Sequence, residues 1–357
     1  MMFNTDKLAS KLGSFADAAL IFSEENRRYF TGFPSSDGAL LVYGNTALFF
    51  TDSRYTEAAA KCIGEESVID SSNLYEKLEK IFTENSVKKV AVENNKLTLA
   101  EFDTLKEKLP GFEFDTTDAL AKAIEEIRIV KTGDEIEKIK AAQKIAEDAF
   151  SHMLTFIKPG MTEKEVSLEL DFYMLSHGAE AISFETIAVA GAKSSMPHGV
   201  PGDNVLQKGD FLTLDFGAVV DGYHSDMTRT VAIGEVSEEM KKVYSTVLEA
   251  QTKALDALKN GITGFEADKI ARDIIVDAGY GKNFGHGLGH GVGVEIHESP
   301  NLSPRSSHTL KTGHVVTVEP GIYLPGRFGV RIEDMAVITE DGCINLTSCP
   351  KELIVIE

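Results

Sequence analysis

The chain has 357 residues, with 36 Lys+Arg against 56 Asp+Glu for a net charge of −20, 43% hydrophobic residues, three Cys and no Trp. A single core stops growing near roughly 250–300 residues, so two domains are expected, and the excess acid repels phosphates and argues against nucleic-acid binding. The apolar runs Ala18–Phe22, Ala39–Tyr43 and Ala47–Phe50 fall far short of the roughly 20 residues of a bilayer span, and Met1–Lys7 lacks the order of a signal peptide; no membrane partner and a cytoplasmic location are expected.

Taken in chain order, Asp17–Ser23, Gly38–Tyr43 and Thr46–Thr51 have β character, with Gly44-Asn45 as the turn between the last two. Lys88–Glu93 reads as a further strand, and Thr98–Leu109 as a helix by its apolar spacing. From Arg128 the texture changes: Thr132 or Asp134 can cap a long amphipathic helix running to about Ile157. The expected domains are residues 1–128, a small α/β unit, and residues 129–357. Cys62, Cys343 and Cys349 form no C-x-x-C, so zinc-ribbon and thioredoxin chemistry have no support and inert thiols are expected.

The second domain contains an internal repeat. Lys158-Pro159-Gly160-Met161-Thr162 with Glu165 recurs 101 residues on as Lys259-Asn260-Gly261-Ile262-Thr263 with Glu266, and the same offset aligns Gly178 with Gly279. In each copy a helix is expected to end at the first glycine, and Thr-x-x-Glu then forms a capping box that starts the next helix. Each copy runs on into a similar polar series: His198-Gly199-Val200, Asp215-Phe216-Gly217 and Asp226, then His290-Gly291-Val292, Glu319-Pro320-Gly321 and Glu333. Two such units about a pseudo-twofold axis would bring four carboxylates and up to two histidines to one centre.

Asp215 lies in the apolar run Phe211–Gly217, and Asp226 precedes a second run, Met227–Ile233, with Asp221-Gly222 as a hairpin signal between them. Glu319 and Glu333 occupy similar settings in Val315–Pro320 and Val330–Asp334. Carboxylates are rarely buried unpaired, and like charges on neighbouring strands repel unless a cation lies between them. Two divalent cations explain the whole set; salt bridges to Arg229 and Arg331 are the structural alternative. Phe284–His297 adds His286, His290 and His297 among five alternating glycines, too many for a helix, and these glycines suggest a backbone packed closely against a neighbour, for which the metal centre is the candidate. Imidazole with mixed carboxylates suits Mn²⁺, Co²⁺ or Zn²⁺, and oxygen-rich ligation leans towards Mn²⁺. The chain has no G-x-S-x-G elbow, P-loop or H-E-x-x-H.

The set Asp215, Asp226, His290, Glu319 and Glu333, within LDFG, SDMTRT, GHGLGHGVGVEIHE, VEPGIY and VRIED, resembles the five-ligand site of the pita-bread metallopeptidases of the aminopeptidase P and prolidase type. The blocks Asn26–Phe33 and Thr51–Tyr55 resemble the extra domain of aminopeptidase P, prolidase and creatinase, which methionine aminopeptidases lack. The resemblance implies a C-terminal pita-bread domain with a pseudo-twofold repeat, preceded by a smaller α/β creatinase-type domain. It also implies two metal ions with a bridging water or hydroxide, with Asp226 and Glu333 bridging, Asp215 on one metal, and His290 and Glu319 on the other. By the same resemblance His198 and His297 contact substrate and tetrahedral intermediate, and His286 lines the pocket for a proline ring. Glu319 is the general-base candidate, and Arg331 either holds a substrate carboxylate or neutralises the acids. The expected activity is removal of an N-terminal residue preceding proline from proline-containing peptides, by a homodimer. A prolidase restricted to dipeptides is the alternative, and a non-catalytic binding module of the same fold is the competing class.

Overall fold

The computed structural model describes residues 4–357. Met1–Phe3, the start of the stretch read above for a signal peptide, lie outside the described residues. The chain divides into two compact units, Met1–Arg128 and Ile129–Glu357.

The first unit is built on a six-stranded sheet in the order Val68–Asp70, Thr46–Thr51, Ala39–Tyr43, Ala18–Ile21, Lys89–Val92, Glu113–Asp115. Ala39–Tyr43 pairs antiparallel with both neighbours, and the outer pairs are parallel. The hairpin turns at Gly44-Asn45, where Gly44 takes a φ of 49°. Helices Leu74–Glu84 and Leu99–Lys108 add Leu78, Phe82 and Leu105 to the core beside Leu20, Leu41 and Val90. The second of these helices starts at a Thr98–Glu101 capping box.

The second unit opens with the helix Gly133–Phe156. Thr132, rather than Asp134, is its cap: the Thr132 hydroxyl accepts from Glu135 N–H, and the Glu135 carboxylate accepts from Thr132 N–H. Asp134 instead stands in the first turn, where a negative charge suits the helix dipole.

The duplication is visible bond by bond. Helix Glu163–Ser176 starts at a Thr162–Glu165 box and helix Gly264–Asp277 at a Thr263–Glu266 box. Thr162 bridges Val205 as Thr263 bridges Thr309, and Gly160 N–H donates to Leu206 O as Gly261 N–H donates to Leu310 O. One expectation is corrected here. The preceding helices end at the extended caps Ile157 and Leu258, before Gly160 and Gly261, whose φ angles of 94° and 92° serve the turn itself. In the first copy Pro159 disfavours a helical Lys158, which stops the helix early. The glycines just past a helix are Gly178 and Gly279, at φ 105° and 90°.

Each helix pair covers one sheet. Ala146, Phe150, Val166 and Leu170 pack against Leu212, Leu214 and Val231 of a four-stranded sheet ordered Val355–Ile356, Met227–Ile233, Phe211–Phe216, Ile187–Ala190. Val243, Val247, Ala267 and Ala271 pack against Val316, Val318 and Ala336 of a five-stranded sheet ordered Glu298–Leu302, Gly289–Gly291, Val315–Val318, Asp334–Ile338, Cys343–Asn345. The two-stranded ribbon Gly321–Leu324/Phe328–Arg331 joins them: Thr230 Oγ1 donates to Arg331 O, and Glu333 N–H donates to Thr228 O. Helices thus lie outside and the seam between sheets lies within. Among the described residues no helix is long and apolar enough to cross a membrane.

Candidate metal centre and active site

All five acid and histidine candidates meet at that seam. Asp215 is the penultimate residue of the strand Phe211–Phe216, opposite Thr228, and Asp226 immediately precedes Met227–Ile233. The Asp221-Gly222 hairpin between the two runs has both residues at positive φ, 50° and 78°, the signature of a tight primed turn. Glu319 follows Val315–Val318, and Glu333 precedes Asp334–Ile338, which pairs with it. Asp226, His290 and Glu333 bring one ligand atom each within 4.8 Å of one another. His290 Nε2 stands 3.5 Å from Asp226 Oδ2 and 3.4 Å from Glu319 Oε1.

Second contacts orient these groups. His290 Nδ1 donates to Gly291 O at 3.0 Å, which leaves the Nε2 lone pair facing the carboxylates, the tautomer a metal ligand requires. Thr228 Oγ1 donates to Glu333 Oε2 at 2.6 Å, and Thr317 Oγ1 donates to Glu319 Oε1 at 3.1 Å while accepting from His290 N–H. Burial, with the charges of Asp215 and Glu319, pushes the Asp226 carboxyl well above the usual range. Burial and the Asp226, Glu319 and Asp215 charges do the same to Glu333, and burial pushes Glu319 up to about 7 against the pull of Arg331.

A divalent centre fits these residues. Among the described residues, Asp215 Oδ1 and Glu333 Oε1 are buried with no hydrogen-bond partner, a costly state that a cation would relieve. Of the four carboxylates, Asp215 has a direct ion pair with arginine, Arg331 Nη2 meeting its Oδ2 at 2.5 Å. Arg229 does not take the role that the salt-bridge alternative gave it, because it pairs with Asp334 and with the carbonyls of Glu333, Cys349 and Pro350.

Arg331 is almost fully spent inside the protein. Its Nε donates to Thr228 Oγ1 at 3.0 Å and its Nη1 to Tyr323 Oη at 2.8 Å and Pro197 O at 3.4 Å. Tyr323 in turn donates to His286 Nε2 at 2.9 Å, whose Nδ1 donates to Gly287 O. Burial takes the His286 imidazole down to about 4, so this chain of bonds ends on a neutral ring. His286, His198 and His297 line a cavity of about 660 Å³ with Asp215, Asp226 and Glu319 on its floor, and Phe184, Ile187, Val200 and Ile296 give it apolar walls. His297 stacks edge-on to His290 with ring centroids 4.4 Å apart, and burial followed by the neighbouring His290 and His198 lowers its pKa.

The glycines of Phe284–His297 are packed closely as expected, but against strands rather than the candidate metal centre. A Cβ on Gly289 would lie 2.1 Å from Thr317 O, and one on Gly291 2.3 Å from Ser299 O. They let neighbouring strands close on the histidine strand, not on the metal centre. Sequence reasoning missed Tyr323, Thr228 and Thr317. Threonines inside runs as apolar as Val315–Val318 and Met227–Ile233, where a hydroxyl needs a partner, were the available signal.

Residues 137–340 match metallopeptidase family M24, and residues 6–130 match the creatinase/prolidase N-terminal domain. The chain belongs to metallopeptidase family M24, with a creatinase/prolidase-type N-terminal domain and a pita-bread catalytic domain, and so to the divalent-metal hydrolases. It is 44% identical over 353 residues to the uncharacterized peptidase YqhT of Bacillus subtilis, covering 98% of this chain and 99% of that one. Among solved structures, the Xaa-Pro dipeptidase from Bacillus anthracis superposes with a TM-score of 0.94 at 43% identity, covering 99% of each chain. The X-Pro aminopeptidase from Thermotoga maritima superposes with 0.92 at 39% identity, covering 99% of this chain and 100% of the other.

Proposed function

We propose that the protein hydrolyses the bond between an N-terminal residue and proline in proline-containing peptides. The observation that carries this reading is the convergence of Asp215, Asp226, His290, Glu319 and Glu333 on one buried seam with carboxylate oxygens left unpaired, in a chain similar along its whole length to an Xaa-Pro dipeptidase and an X-Pro aminopeptidase. These five residues would hold two divalent ions, with Asp226 and Glu333 serving both, Asp215 one of them, and His290 and Glu319 the other. The oxygen-rich donor set favours Mn²⁺ over Co²⁺ or Zn²⁺. When bound, such ions activate water and polarise a scissile carbonyl.

The chain's own groups supply the rest. Glu319, which lines the cavity beside His290 and accepts from Thr317 Oγ1, serves as general base. His198 and His297, which both line the cavity, donate hydrogen bonds to the substrate carbonyl as it becomes tetrahedral. His286, neutral and held by Tyr323, presents a flat apolar face for the proline ring. Arg331 neutralises Asp215 and fixes Tyr323, and its engaged fork supports the aminopeptidase reading over capture of a dipeptide carboxylate. The likeness to an Xaa-Pro dipeptidase at 43% identity favours the dipeptide reading instead.

Three unpaired thiols, Cys62, Cys343 and Cys349, suit a reducing cytoplasm, and a homodimer is the proposed assembly, to be checked by sedimentation. The deciding assay compares metal-stripped with Mn²⁺-reloaded protein on Gly-Pro and on a Gly-Pro-Pro-type peptide. Metal-dependent cleavage of both supports the aminopeptidase, cleavage of Gly-Pro alone the dipeptidase. Cleavage of neither rejects the proposal.

A further inference from the structure

His198 is solvent-exposed, and among the described residues no side-chain hydrogen bond fixes its ring. Its place over the cavity is therefore set by its own backbone, the segment between Ala190 and Asn204. Both ends of that segment close on one side chain. Glu163, fully buried in the first turn of helix Glu163–Ser176, accepts from Ala190 N–H at 2.9 Å and Asn204 Nδ2 at 2.9 Å through Oε1. Through Oε2 it accepts from Lys193 Nζ at 2.6 Å and Gly202 N–H at 3.1 Å. Four donors on two carboxylate oxygens form a clasp across the base of the loop.

The duplicated half shows that the carboxylate is not needed to start the helix. The pseudo-equivalent residue is Gly264, whose N–H donates to His308 O as Glu163 N–H donates to Asn204 O. There a Cβ would stand 2.3 Å from Asn301 O, so that half closes its junction backbone to backbone without a side chain. The clasp belongs to the half whose loop carries His198, and it closes the loop's base while the bonds from Gly329 N–H to Ser194 Oγ and from Arg331 Nη1 to Pro197 O touch its middle. We infer that Glu163 is a positioning residue, which holds the His198 loop over the active-site cavity. This inference rests on the Xaa-Pro hydrolase reading for its catalytic consequence, and on the loop geometry alone for its structural one.

Glu163→Gln keeps the shape but turns one acceptor into a donor that faces donors. It should lower kcat/KM on an Xaa-Pro peptide about tenfold, with metal content unchanged. His198→Ala should cost a similar factor, and the double variant hardly more than either alone, because both changes remove one arrangement. Lys193→Met, which removes a single donor, should show the same pattern at smaller size and covers the case in which Glu163→Gln folds poorly. Independently of activity, hydrogen exchange of the metal-free Glu163→Gln protein should speed up at least tenfold across residues 190–204 and stay at parental rates in the strands Val315–Val318 and Asp334–Ile338. Multiplying losses in the double variant, or unchanged exchange in the loop, would overturn the inference. A parent protein inactive on every Xaa-Pro peptide would sink the hydrolase reading, while the exchange result would still decide whether Glu163 holds the loop.

Discussion

Arg331 illustrates why geometry at the scale of one residue decides roles that composition leaves open. Its guanidinium serves Asp215, Tyr323, Thr228 and Pro197 at once, and an ammonium cannot reproduce that fork. Arg331→Lys should therefore lower kcat/KM about 10–100-fold on dipeptide and longer peptide alike; a loss confined to the dipeptide in steady-state assays would make Arg331 a carboxylate anchor instead. The acids make a second prediction. A buried carboxyl whose folded pKa is raised stabilises the fold below its unfolded pKa, and that contribution is lost as pH rises through the folded value. For Glu319 the window runs from 4.5 to about 7, and Asp226 and Glu333 shift in the same direction. Chelator-treated protein should thus lose thermal stability from about pH 5 to pH 8, and the gain in melting temperature on adding Mn²⁺ should widen over the same range, since ligation needs the ionised groups. A gain that shrinks with rising pH would contradict it. The four carboxylates were legible because a charge in an apolar strand setting demands an explanation, and His290 because three histidines crowd one glycine-rich segment. Tyr323 and Glu163 were not, because their significance lies in partners far away in sequence, such as His286 and the amides of Ala190 and Gly202.

Among elements, those with local causes were readable: the Gly44-Asn45 hairpin, the Thr98 capping box, the repeated Thr-x-x-Glu starts and the Asp221-Gly222 turn all carry their reason within a few residues. The close packing of the glycine-rich histidine strand was readable but its neighbour was not, because closeness to Thr317 O and Ser299 O depends on strand order, which no local pattern encodes. Two predictions follow at this scale. Gly289→Ala must push the Val315–Val318 strand away from His290, so metal affinity and activity should both fall by at least tenfold; calorimetric titration with Mn²⁺ showing parental affinity would refute the packing account. Thr162→Ala and Thr263→Ala remove equivalent caps in the two halves, and each should cost about 1 kcal/mol in denaturant unfolding. A marked difference between them would mean that the halves are not energetically equivalent.

Across the whole molecule, the duplication explains why one chain can gather so many acids: each half contributes a carboxylate pair on its sheet, and the seam between the halves turns two modest sites into one crowded centre. Once ionised, acids crowded in this way call for cations between them, so metal content is the property most directly at stake. The most direct test counts the divalent ions bound per chain by elemental analysis after reloading, in the parent and in Asp226→Asn. The account predicts two ions in the parent and the loss of both in the variant, together with a fall in Xaa-Pro hydrolysis by orders of magnitude, because Asp226 is proposed to serve both ions. An Asp226→Asn protein that keeps parental metal content and turnover would contradict it.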